Sequence, residues 1–213
     1  RALRGMRQRR VFTVKLPELL ATATDIAPML RGLVSKPGLH FVLAHRANED
    51  VLAYVNGREL ARYSRQGPVT PDHVIRTKSR PLLLDAPDER KLGDFKRLAR
   101  AAAQAYFAGY RAYFTRNNAR AGRLKKMLDP LPRVALVPGL GLFGLGRCKA
   151  DARLAADLAE SAVEIITDAE AIGRYESISE EAMFDMEYWP LEQAKLGAEK
   201  DLPLAGQVAA ITG

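Results

Sequence analysis

Apolar residues in this chain follow two different spacings. Over residues 91–114, Leu92, Phe95, Leu98, Ala99, Ala102, Tyr106, Tyr110, Tyr113 and Phe114 recur every three or four positions, so one face of a long helix is apolar. A second such run over residues 149–172 predicts another long helix, with Leu154, Leu158, Ile165 and Ile166 facing inward and Gly173 as its stop. Short apolar runs without that period read as buried strands: residues 39–44, 81–84 and 133–137. Asn48 reads as an N-cap, with Glu49 and Asp50 in the first turn of a helix running to Asn56 and stopped by Gly57. A second short helix is expected over residues 58–65, and a helical turn region ends near Gly32. Strands and long helices alternate, which predicts an α/β layer architecture.

Four further stretches carry less regular patterns. Residues 67–78 (GPVTPDHVIRTK) read as a loop opening into a strand, because two prolines disfavour helix through Val69 and Val74-Ile75 prefer extended backbone. Residues 116–126 form a polar, basic connector ending at Asp129-Pro130-Leu131-Pro132. Residues 177–195 set Phe184, Tyr188 and Trp189 beside several acids and read as a segment wrapping the surface. After a short linker from Pro203, residues 207–211 suggest a fresh strand.

Composition narrows the class. The only cysteine is Cys148, so no internal disulfide can form and a reducing compartment fits. No apolar run approaches the roughly 20 residues that cross a bilayer, and no signal-peptide pattern is visible, so the expectation is a cytoplasmic protein without membrane contact. Lysine and arginine exceed the acids by 33 to 25, and Arg1, Arg4, Arg7, Arg9 and Arg10 crowd the start. Such an arm could meet nucleic acid or simply be solvated. The rest of the chain lacks a basic stripe with interleaved aromatics, which favours the solvated reading.

The candidate chemistry is sparse. Gly139-x-Gly141-x-x-Gly144 has dinucleotide-loop spacing, yet the acids at the expected distance, Asp157, Glu160 and Glu164, fall inside the predicted helix and no strand follows Ile172. Leu142, Phe143 and Leu145 also fill the loop with residues that favour burial. His40, His45 and His73 lack metal-ligand spacing, so no metal site is predicted. Arg147 and Lys149 flank Cys148 and could activate its thiol; a structural thiol is the plainer reading. Asp72, His73, Arg76 and Lys78 form the densest chemical cluster, readable as an anion site or as a loop satisfying its own backbone.

Residues 140–146 (LGLFGLG) resemble the His-Gly-Leu-Phe-Thr-Trp-Gly type of motif in class II sugar-phosphate aldolases, the aldolase/adducin family. The resemblance would put a zinc-binding histidine where Leu140 stands, and a His-x-His pair where residues 43–47 offer His45 alone. It therefore implies a three-layer α/β/α fold, similar to the class II aldolase (adducin-like) fold, without its metal. Residues 67–78, 133–146, 184–196 (FDMEYWPLEQAKL) and 204–213 (LAGQVAAITG) together resemble bifunctional aldolase/short-chain dehydrogenases of the rhamnulose-1-phosphate aldolase/alcohol dehydrogenase type. This implies a degenerate aldolase-like domain over residues 1–200. Residues 201–213 would then be a linker and the first strand of a Rossmann-type dehydrogenase domain, with Thr212 and Gly213 opening its cofactor turn. On this resemblance the segment itself is non-catalytic and holds no cofactor. Its parent enzyme would use zinc and NAD or NADP, and its partners would be the neighbouring aldolase and dehydrogenase domains and further copies in a homo-oligomer.

Overall fold

A computed structural model describes residues 13–194, 205–209, 211 and 212. The basic arm of residues 1–10, most of the linker and Gly213 lie outside them. The elements are α1 (Ala23–Val34), β1 (Val42–Arg46), α2 (Glu49–Val55), α3 (Leu60–Tyr63), α4 (Pro71–Thr77), β2 (Leu82–Leu83), α5 (Leu92–Arg120), β3 (Val134–Val137), β4 (Gly141–Gly146), α6 (Lys149–Ile172), α7 (Glu180–Glu187) and α8 (Pro190–Ala194). The sheet order is β1-β4-β3-β2, with β1, β4 and β3 antiparallel and β2 parallel to β3.

Alternation along the central strands sets the layers. Ala135, Val137, Phe143 and Leu145 point to one side and join Ile26 and Leu30 of α1 with Phe95 and Ala99 of α5 in one core. Val134, Leu136 and Leu142 point to the other and join Val51 and Val55 of α2 with Ala156 and Val163 of α6. Helices therefore cover both faces, as three layers.

The glycine run that mimics a cofactor loop is a turn and a strand. Leu140 N–H donates to the Val137 carbonyl at 3.0 Å, and β4 begins at Gly141. Gly144 and Gly146 face α6, where a β-carbon on Gly144 would lie 2.6 Å from the Ala156 nitrogen and one on Gly146 would meet the Ala152 backbone. This close approach corrects the expected inner face of α6. Ala152, Ala155, Ala156 and Ala159 line the strand, Leu158 is half-buried, and Leu154 and Ile165 are exposed; of the four expected residues only Ile166 is buried. Helix and strand lie too close for the leucines.

The loop-and-strand expectation for residues 67–78 is also corrected. Thr70 caps α4, and Pro71 occupies the first helical turn, where its missing N–H has no intrahelical partner to lose. Helix α5 continues beyond Phe114 into the expected connector as far as Arg120, where Arg116 pairs with Glu180 of α7 and Asn117 donates to the same carboxylate at 3.1 Å. The expected surface wrap is instead two helices. Phe184 and Tyr188 are buried against Tyr110, Tyr113 and Phe114 in a small third core, while Trp189 is exposed. At the other end, Arg31 donates to the Gly206 carbonyl at 2.5 Å. Residues 207–209, 211 and 212 pair with no strand among the described residues. No helix among the described residues is long and apolar enough to cross a membrane.

Candidate functional site

Helix α4 ends at Lys78, whose backbone has φ 68° and ψ 168°. That region is almost reserved for glycine and costs a lysine roughly 1–3 kcal/mol, so its surroundings must hold it there. The side chain runs inward and is nearly sealed from water. Its ammonium stands 4.5 Å above the centre of the Tyr110 ring, donates to the Tyr110 hydroxyl at 3.2 Å, and lies 3.6 Å from Glu187 Oε1.

The hydrogen-bond directions follow from the groups available. Glu187 Oε1 accepts from Tyr110 at 2.7 Å, which uses the only Tyr110 proton. The Tyr188 hydroxyl, 2.8 Å away, must then donate to Tyr110, and it accepts from Leu128 N–H at 3.3 Å. Tyr110 is thus fully used, with one bond donated and two accepted. Glu187 is completely buried, and its Oε2 and the Tyr113 hydroxyl have no hydrogen-bond partner among the described residues. Burial pushes the Lys78 ammonium below the usual lysine range, with Glu187 pulling the other way. It also raises the Tyr113 phenol, and the Glu187 charge adds to that.

The sequence-predicted cluster does not share one surface. One helical turn places Asp72 and Arg76 together on the outer side of α4, Asp72 exposed and Arg76 half-buried, each with interactions of its own. His73 faces inward, where the Leu158 carbonyl at 2.9 Å requires its Nε2 to carry the proton. Its Nδ1 then accepts from the Thr70 hydroxyl at 2.7 Å. Burial lowers its pKa, so the ring is neutral near pH 7. Lys78 and His73 border a cavity of about 60 Å³, room for water rather than for a substrate.

His45 is committed as well. Strands β1 and β4 set His45 opposite Phe143, so the two stretches that would bear metal ligands do adjoin. The His45 ring stacks on Phe143 at 4.6 Å and its Nε2 donates to the Leu140 carbonyl at 2.7 Å. The backbone of His40 lies close against Gly206. The Cys148 sulfur caps α6, accepting from Asp151 N–H at 3.4 Å. Among the described residues, no three His, Cys, Asp or Glu side chains gather around one point. Thr212, the described half of the expected cofactor turn, is exposed.

Sequence reasoning named Lys78 but missed Glu187 and Tyr110 as its partners, and Tyr188 behind Tyr110. It also missed a cleft of about 300 Å³ beside them, bordered by Arg65, Arg80, Tyr106, Tyr110 and Arg116. The helical period had already placed Tyr110 on a buried face; nothing in the chain order pointed to Glu187 lying against it.

Helices on both faces of a mixed sheet define a three-layer α/β/α domain. The chain belongs to the family described as "Aldolase class II, second domain", whose pattern matches residues 21–196. It is 33% identical over 193 residues to "Uncharacterized oxidoreductase YuxG" of Bacillus subtilis (strain 168), a match covering 88% of this chain and 27% of that protein. The chain thus spans about a quarter of that relative's length. It is also similar to the crystal structure of YgbL, a putative aldolase/epimerase/decarboxylase from Escherichia coli, with a TM-score of 0.49 and 15% identity over 78% of this chain and 64% of that one.

Proposed function

We propose that this domain keeps a class II aldolase scaffold while the positions that would bear metal ligands serve packing. It acts as a structural, linking module of a longer bifunctional enzyme, between a sugar-phosphate aldolase module and an NAD(P)-dependent short-chain dehydrogenase module. One observation carries the reading: among the described residues no three His, Cys, Asp or Glu side chains meet at one point, and His45, whose Nε2 is bonded to the Leu140 carbonyl at 2.7 Å, has only Nδ1 left to offer. A ligand histidine needs a free ring nitrogen aimed at an ion shared with two other donors. Here His73 spends both nitrogens on Thr70 and Leu158, so the residues present do not fit zinc. The glycine spacing does not fit a dinucleotide either, since Gly141 and Gly144 are strand residues. The oxidoreductase name and far greater length of the Bacillus subtilis relative support a place within a longer oxidoreductase.

Elemental analysis of the purified 213-residue chain, paired with calorimetric titration of NAD and NADP, tests this. Zinc far below one ion per chain and no saturable nucleotide binding are expected. One tightly held zinc per chain, or micromolar nucleotide binding, would overturn the reading.

A further inference from the structure

We propose that the cleft between β2, α5 and α7 binds a small organic anion: a phosphate or carboxylate head on a flat apolar body. The inference goes beyond the packing role and stands without it. The space, about 300 Å³, is at the lower end of what small-molecule sites occupy. Its wall includes Tyr106, Tyr110 and Met183, surfaces that suit a flat ring better than a flexible chain.

The charge along this cleft is lopsided. Three arginines, Arg65, Arg80 and Arg116, border it against one acid, Glu180. Arg116 holds both Glu180 oxygens, at 2.8 and 3.0 Å, so that pair cancels. Arg65 and Arg80 stand exposed and have no carboxylate partner among the described residues. Two guanidinium forks without a counter-charge, beside an aromatic wall, match a head group with two or three anionic oxygens.

The rim is also fixed in advance. The strained backbone of Lys78 turns the chain into Ser79-Arg80-Pro81, and the Tyr106 hydroxyl donates to the Arg80 carbonyl at 3.0 Å. From behind, the Lys78 ammonium lies over Tyr110, itself part of the wall. The Arg80 backbone and the aromatic wall, held in place, lose little freedom on binding, so that ordering is needed chiefly in the two guanidinium side chains.

Calorimetric titration of the chain with phenyl phosphate, benzoate and neutral benzyl alcohol tests the proposal. Saturable one-to-one binding of an anion, weakening as salt rises, is expected; whichever of the two binds more tightly identifies the head group. Arg65→Ala and Arg80→Ala should each weaken it about tenfold, as the loss of one charge-assisted contact does. Ala105→Phe, which fills the cleft from the exposed side of α5 and leaves both arginines in place, should abolish binding without lowering the melting temperature. Benzyl alcohol binding as well as the anions, no saturation by roughly 10 mM of either anion, or unchanged affinity in the Arg65→Ala/Arg80→Ala double variant would each overturn it.

Discussion

At Lys78 the fold carries two unfavourable terms together: a backbone angle that suits glycine and an ammonium almost wholly withdrawn from water. Glu187 and Tyr110, the latter through both its hydroxyl and its ring, offset the second, and these contacts help to hold the first. Glu187→Ala removes the counter-charge and should lower stability by about 3–5 kcal/mol. Lys78→Met with Glu187→Leu removes both charges and should recover much of that loss in urea unfolding. Equal losses in the single and double variants would show that the ion pair is not what matters there. This centre was only partly legible in the sequence. Asp72, His73, Arg76 and Lys78 are neighbours along the chain, and chain proximity suggested one cluster. A helical turn separates them: positions four apart share a side, so Asp72 and Arg76 go outward while His73 and Thr77 go inward. Lys78 then finds its partners more than thirty residues away, on α5 and α7.

Among the elements, β4 and α6 show how a strand without side chains shapes the helix above it. Gly144→Ala should cost about 1–3 kcal/mol or more, because the added methyl meets the α6 backbone rather than a side chain that can move. Gly109, inside α5 with open space around it, is the contrasting position; Gly109→Ala should raise stability by about 0.5–1 kcal/mol. Thermal melts of the two variants should shift in opposite directions. Long elements were readable because their apolar period repeats over many turns: α6 has the expected ends, and α2 has its expected Asn48 cap. Which face of α6 points inward was not readable. The rule that large apolar residues are buried fails where a glycine-bearing strand admits only alanine. Helix α4 was missed because proline reads as a breaker until its place in the first turn is known.

Across the whole molecule, the family and the layered architecture agree with what the glycine-rich strand and its flanking helices suggested. The proposed loss of the metal site rests on the side chains instead: imidazoles engaged by carbonyls, a hydroxyl and an aromatic ring. The third core, of Tyr110, Tyr113, Phe184 and Tyr188, lies apart from the two that cover the sheet. Helix α7 grips the last turns of α5 through Arg116 and Asn117, and α4 through the Lys78–Glu187 tie. Such an arrangement lets one corner open while the sheet stays closed. In deuterium exchange, amides of α7 and of the end of α5 should therefore lose protection together and sooner than those of β3 and β4, and Glu187→Ala should hasten that corner alone.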